Sequence, residues 1–261
     1  MRLNHYRGGH GEPLVLIHGI GSRWQMWEPV IDGLLALREV IALDLPGFGA
    51  SPMPPAGTPA GVQSLVALVA EFLRENGIDR PHCAGNSLGG LIALELAKDG
   101  RVRSAAGLSP VGFANRPEMA GGRASLRLSV ATARGLASRA DGVMATSLGR
   151  TLALGLFLAH PARVTPQDAA ASLRALAGAP WFDDTLRTMR PSQFTGGDQI
   201  EVPVTIAWGD KDRVLLPRQA RRAAAAVPRA RMVTLAGCGH VPTYDDRAQV
   251  TRALLQASSA R

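Results

Sequence analysis

The stretch Gly85-Asn86-Ser87-Leu88-Gly89 constrains this chain more tightly than any other. Before it, the apolar segment His82 to Gly85 reads as a strand; after it, Leu88 to Lys98 reads as a helix. A serine at the tip of a one-residue strand-to-helix turn takes a backbone conformation that is costly for any residue with a Cβ. Positions two before and two after it crowd together, and Gly85 and Gly89 supply the missing side chains. The turn lifts the Ser87 hydroxyl above the sheet at a helix N-terminus, where backbone N–H groups point at incoming negative charge. A chain with 29 glycines produces such a pentapeptide by chance, and a serine-capped helix start explains it equally well in isolation. A base, an acid and an oxyanion donor standing where the turn would use them decide between the two.

In chain order, Arg2 to Tyr6 reads as a short edge strand turning at Gly8-Gly9. Pro13 to Gly19 is a continuous apolar run ending in glycine, the pattern of a strand buried on both faces. A helix follows, striped by Trp27, Val30, Ile31, Leu34, Leu35 and Leu37. Glu39 to Leu45 is the next strand, and Gly61 to Asn76 the next helix. Val102 to Leu108 is a strand after the serine-bearing unit. This alternation predicts an α/β fold, a mostly parallel open sheet of about seven strands with helices on both faces. Loops at the carboxyl ends of such strands carry function.

From Val111 to Ile200 no buried strand can be read. Helices are expected near Arg123–Arg139, Val143–Ala159, Thr165–Ala177 and Trp181–Met189. The alternation resumes with a strand at Val202–Trp208, a helix at Arg218–Val227, a strand at Arg231–Leu235 and a closing helix at Tyr244–Ala257. Residues 1–110 and 200–261 are therefore one core domain, and 111–199 a helical insertion within it.

The net charge of +8 is almost entirely arginine, since lysine occurs only at Lys98 and Lys211. The arginines are scattered singly, without the dense basic run and interleaved aromatics of a nucleic-acid surface, so no nucleic-acid partner is expected. Cys83 and Cys238 make no disulfide framework; Cys83 reads as a small buried residue and Cys238 as partly exposed. No signal peptide and no apolar run long enough for a bilayer are read, so a cytoplasmic protein with no membrane partner is expected. No His/Cys/Asp cluster has metal-ligand spacing and no glycine-rich nucleotide loop follows a strand, so neither metal nor cofactor is expected.

A serine hydroxyl needs a base to take its proton, and the base needs an acid to orient it. His240, in the glycine-rich loop Gly237-Cys238-Gly239-His240, is the candidate base. His18 also ends a strand but reads as a structural ring holding its loop; His5, His10 and His160 lack partners, and His82 lies at the wrong strand end. The acid belongs after a strand between Ser87 and His240. Trp208-Gly209-Asp210-Lys211-Asp212 offers two, Asp210 at the start of the turn and Asp212 further along it. Asp210 is expected to bond its own backbone two residues on. An oxyanion hole needs two N–H groups, expected from Leu88 and from Ile20 in the loop after His18-Gly19.

These stretches, with Asp44-Leu45-Pro46-Gly47-Phe48-Gly49-Ala50-Ser51 and Gly239-His240-Val241-Pro242, resemble the α/β-hydrolase superfamily across nearly the whole chain. The resemblance favours Asp212 as the acid and implies that the helical insertion is a cap over the site. With the short N-terminal stretch, the resemblance implies a sheet of about seven strands in which the family's first antiparallel strand is expected to be missing. A serine nucleophile also sets the chain apart from the family's dehalogenases and epoxide hydrolases, which attack with aspartate. Val241 stands where the similar carbon–carbon bond hydrolases commonly carry tryptophan. The expected function is a serine hydrolase of a small carboxylic ester or lactone. The alternatives are a carbon–carbon hydrolase of a vinylogous diketone acid, with Arg127 or Arg190 holding its carboxylate, and a slow-turnover ligand receptor using the same pocket.

Overall fold

The computed structural model of the chain describes residues 1–259. Seven strands form one sheet: β1 (His5–Gly9), β2 (Glu12–Ile17), β3 (Arg38–Leu43), β4 (His82–Asn86), β5 (Ser104–Leu108), β6 (Val204–Gly209) and β7 (Arg231–Leu235). Their order across the sheet is β1-β3-β2-β4-β5-β6-β7, and every pairing is parallel except β1 with β3. The expected sheet is thus the observed one. β1 starts later than the alternation suggested, because Asn4 is spent on anchoring: its carbonyl accepts from Asp44 N–H at 2.8 Å and its amide donates to Asp44 Oδ2 at 2.7 Å. Gly8 and Gly9, read as a turn, lie within the strand opposite Val40 and Glu39.

The double-sided burial follows directly from the continuous apolar runs. Along β2 and β3, Val15, Ile17, Ile41 and Leu43 face one core, while Leu14, Leu16, Val40 and Ala42 face another. On the first side lie α2 (Val62–Glu75) and α3 (Leu88–Lys98), which bury Leu65, Val69, Phe72, Leu91 and Leu94. On the other side lie α1 (Glu28–Leu35) and, from the end of the chain, α10 (Arg247–Ser259), with Val30, Ile31, Leu34, Val250 and Leu254. Burying an apolar side chain of this size stabilises the fold by about 1.5–3 kcal/mol. Among the described residues no helix is long and apolar enough to cross a membrane.

Between β5 and β6 the chain is helical: α4 (Arg116–Leu136), α5 (Ala140–Ala145), α6 (Ser147–Leu154), α7 (Pro166–Ala177) and α8 (Phe182–Thr188); α9 (Gln219–Ala226) follows β6. Two expectations need correction. α4 begins seven residues early, because Asn115 and Glu118 form a reciprocal capping box at 3.0 Å each way with Pro117 in the first turn. The helix expected over Val143–Ala159 is two helices broken at Thr146, whose extended backbone (ψ 143°) lets its hydroxyl cap Gly149 N–H at 3.0 Å. The buried Arg150 guanidinium binds the freed carbonyls of Met144 (2.7 Å) and Ala145 (3.2 Å), satisfying the end of α5. The segment has a small core of its own around Met144, Leu158, Ala169 and Leu173, while Phe113, Met119, Trp181 and Phe182 join the main core.

Candidate active site

Ser87 sits between the last residue of β4 and the first of α3 with φ 56° and ψ −113°, a strained conformation for a residue with a side chain. A Cβ on Gly85 would overlap the backbone carbonyl of Gly89, and one on Gly89 would overlap the carbonyl of Ile17 in the neighbouring strand. The turn is held by Ser87 N–H donating to Leu108 O (3.0 Å) and by Ser87 O accepting from Val111 N–H (3.1 Å).

His240 and Asp212 come from the loops after β7 and β6. His240 Nδ1 lies 2.8 Å from Asp212 Oδ2, and both residues are buried. The other carboxylate oxygen, Oδ1, accepts from Val214 N–H (2.9 Å) and Leu215 N–H (2.8 Å), which fixes the carboxylate plane. Gly209 permits the two loops to meet, since a Cβ there would run into the carbonyls of Cys238 and Gly239. It does so as the last residue of β6 rather than in a turn. Asp210 departs from expectation as well. It accepts from Gly237 N–H across the loops at 2.7 Å, bracing the histidine loop rather than closing on its own backbone.

Ser87 and His240 line one cavity of about 400 Å³, together with Gly19, Ile20 and Asn86. Among the described residues Ser87 Oγ makes no hydrogen bond, so the serine and the imidazole share the cavity without being joined. The N–H groups of Ile20 and Leu88 likewise donate to no described residue. Leu88 is the first residue of α3, where the helix leaves its N–H free by construction. The Ile20 loop is held from below. His18 Nδ1–H donates to Gly19 O at 2.7 Å, and Nε2 accepts from Leu45 N–H at 2.9 Å. Asp44 Oδ1 takes Trp24 N–H at 2.6 Å, tying the end of the loop to the strand behind it. Burial pushes the His18 ring below the usual imidazole range, against the nearby Asp44 charge.

Two residues that sequence reasoning passed over belong here. Asn86 Nδ2 donates to His240 O (2.8 Å) and Leu108 O (3.1 Å), tying the histidine loop to the serine turn from within. Asp245 is buried, and its carboxylate gathers three backbone donors: Gly239 N–H (2.8 Å), Ala159 N–H (3.0 Å) and His160 N–H (2.7 Å). It therefore joins the histidine loop to the helical segment, beside a second link from Val241 N–H to Phe157 O at 2.9 Å. Asn86 closes β4, one residue beyond the strand read from the sequence, and its only signal was a polar residue next to the serine. Asp245 carried no signal, because its partners are backbone groups, two of them far away in sequence.

The other readings sort plainly. Phe157 lines the cavity, whereas Trp181 and Phe182 are core. Arg127 and Arg190 are both exposed and off the cavity wall, so neither is placed to hold a carboxylate there. Cys238 is buried rather than partly exposed, and burial, with Asp245, Asp246 and Asp210 nearby, pushes its thiol up to about 12. Burial does the same to Cys83. Neither is a thiolate at neutral pH. Among the described residues no group of three or more His, Cys, Asp or Glu is placed to hold a metal ion.

A family model described as the alpha/beta hydrolase family matches residues 14–253. The chain is 30% identical over 251 residues to the dihydrolipoyllysine-residue acetyltransferase component of the acetoin cleaving system of Cupriavidus necator, a match covering 90% of this chain and 60% of that protein. The chain thus spans less than two thirds of that relative. A shorter match, 41% over 92 residues, is to the 2-hydroxy-6-oxo-2,4-heptadienoate hydrolase of Pseudomonas putida, covering 34% of this chain and 33% of the other. Among solved structures, the enol-lactonase from Burkholderia xenovorans superposes with a TM-score of 0.76 at 21% identity, over 98% of this chain and 96% of that one.

Proposed function

Because the chain belongs to the alpha/beta hydrolase family, we propose that it is a serine hydrolase that cleaves a small carboxylic ester or lactone through an acyl-enzyme. One observation carries the reading: the buried 2.8 Å contact between His240 Nδ1 and Asp212 Oδ2, in a cavity whose wall also holds Ser87. Asp212 holds the Nδ1–H tautomer, which leaves His240 Nε2 as the lone pair that accepts the Ser87 proton. Ser87 Oγ attacks the carbonyl carbon. The oxygen that becomes negative is met by the N–H groups of Ile20 and Leu88, each worth about 3–4 kcal/mol in sites of this kind. Collapse expels the alcohol, which takes its proton from His240. Water then enters and attacks the acyl carbon as it gives a proton to the same imidazole; the acid leaves as the bond to Ser87 Oγ breaks and His240 returns that proton to the serine. No metal or organic cofactor has a step in this scheme. α4–α8 form the cap of this reading, since α4, α6 and α7 supply the cavity's outer wall.

The carbon–carbon alternative needs a cation for its acidic substrate; Arg127 and Arg190 are off the wall, and Arg23 is the one guanidinium on it. A fluorophosphonate probe should label the parent and not Ser87→Ala, and kcat on the best p-nitrophenyl ester should fall very roughly 10⁶-fold in that variant. Labelling that survives in Ser87→Ala would remove the assignment. A pre-steady-state burst of p-nitrophenol followed by negligible turnover would favour the receptor reading instead.

A further inference from the structure

We propose that the cavity beside Ser87 takes uncharged esters with an aliphatic chain long enough to run from the serine along the cap to an exposed leucine rim, and that it turns away esters bearing a carboxylate. The inference rests on the serine-hydrolase reading above and narrows its substrate class.

The wall is the first argument. From Ser87 outward it is built of aliphatic and aromatic side chains, among them Leu126, Leu156, Phe157, Leu173 and Leu176. At about 400 Å³ the cavity falls in the range of pockets that enclose a small organic ligand. Two of the three hydroxyls on its α4 wall, those of Ser125 and Ser129, are already engaged, while that of Thr132 makes no hydrogen bond among the described residues. Ser125 Oγ donates to Gly121 O at 3.0 Å and Ser129 Oγ to Ser125 O at 2.9 Å, both within their own helix. The Tyr244 phenol, raised to about 12 chiefly by burial, stays protonated, and its hydroxyl points at Gln25 O at 3.5 Å.

Charge is the second argument. Among the described residues of this wall the only guanidinium is Arg23. Its field is shared with two carboxylates, since Glu28 feels both Asp168 and Arg23, and Tyr244 feels all three. Neither carboxylate lines the wall. A substrate carboxylate entering it would lose its hydration and meet one cation, Arg23, whose field the two off-wall carboxylates oppose.

The rim is the third. Leu128 of α4 and Leu152 of α6 line the cavity yet are 69% and 78% exposed. Apolar side chains therefore stand at the rim as well as along the wall, and a chain longer than the cavity still meets hydrocarbon as it leaves.

The test uses matched pairs. p-Nitrophenyl hexanoate and the mono-p-nitrophenyl ester of adipic acid differ only in a terminal carboxylate, and the hexanoate should show a kcat/KM about 100-fold higher. An adipate monoester turned over equally well or better overturns the proposal. Along the acyl series kcat/KM should rise from butyrate to octanoate. The octanoate-to-butyrate ratio should fall about 5-fold in Leu128→Gln/Leu152→Gln, whose exposed positions tolerate the change. A ratio that stays put overturns the role of the rim. A turnover-free arm separates this inference from the catalytic reading. Ser87→Ala is titrated calorimetrically with 2-octanone and with 7-oxooctanoate. The ketone should bind at least about tenfold more tightly, and equal or tighter binding of the oxo acid overturns the inference. If the esters are inert and the probe fails to label Ser87 while the ketone binds selectively, the cavity chemistry stands and the hydrolase reading falls.

Discussion

Asp212 uses its two oxygens for different tasks, and this asymmetry predicts the behaviour of its variants. Oδ1 is saturated by the N–H groups of Val214 and Leu215, so Asp212→Asn keeps an acceptor there and should fold. Its new Nδ2 group then faces His240 Nδ1. That reverses the tautomer and places the imidazole proton on the nitrogen that should accept from Ser87. Turnover should drop by about 10⁴-fold with a cooperative melt retained. Asp210 makes an exposed hydrogen bond with Gly237 N–H and a 3.6 Å surface ion pair with Lys211, so Asp210→Ala should cost about 1 kcal/mol of stability and leave most of the activity. Purified variants compared on the best ester decide the matter, and a dead Asp210→Ala beside an active Asp212→Asn would reverse the assignment.

At the scale of elements, the histidine loop does not hold itself in place. Its glycines give it no rigidity, and its position comes from Asn86 below, Asp210 beside it and Asp245 above. Asp245 matters most, because it satisfies three backbone N–H groups at once, two of them in the segment between α6 and α7. Stranding buried donors costs about 1–3 kcal/mol each. Asp245→Ala should therefore lower stability by about 3 kcal/mol or more. It should also depress kcat more than KM, since the imidazole loses its register while the apolar wall survives. Thermal melts and initial rates read this out. A variant that melts like the parent with an unaltered kcat would show that the loop is held by other means.

Over the whole molecule, two neutral histidines are buried at opposite ends of the sheet. His18 is locked at the carboxyl end with Nδ1 donating and Nε2 accepting, so protonation would set an N–H against the N–H of Leu45. His82, at the amino end, lies between Ser104 Oγ and Glu12, and burial outweighs that carboxylate to lower its pKa too. With the folded pKa depressed, the unfolded chain takes up protons that the folded one refuses as pH falls below the usual imidazole value of about 6.5. The stability these rings contribute is therefore present above that pH and lost below it. Urea midpoints at pH 7.5 and 5.5 should drop in the parent, and the drop should shrink in His18→Asn or, independently, in His82→Gln. An identical drop in parent and both variants would place the acid sensitivity elsewhere.

Local chemistry alone determined the parallel sheet and the serine turn. Unbroken apolar runs such as Pro13–Ile17 suit a strand covered on both faces, and the Gly85 and Gly89 spacing, joined to a base and an acid at later strand ends, selected the serine turn over a capped helix start. Candidate base and acid were readable for the same reason, since each stands in a loop at a strand's carboxyl end. Tertiary structure alone decided the rest. The break at Thr146 is invisible in an alanine-rich periodic stretch, because it depends on Arg150 reaching back to carbonyls that only the folded turn exposes. The cavity wall is assembled from residues far apart in sequence, so only packing decided that Arg127 turns to solvent and Phe157 turns inward. Asp245 makes the point most sharply: a carboxylate whose partners are three main-chain N–H groups leaves no side-chain pattern, and only the close approach of two remote segments gives it work.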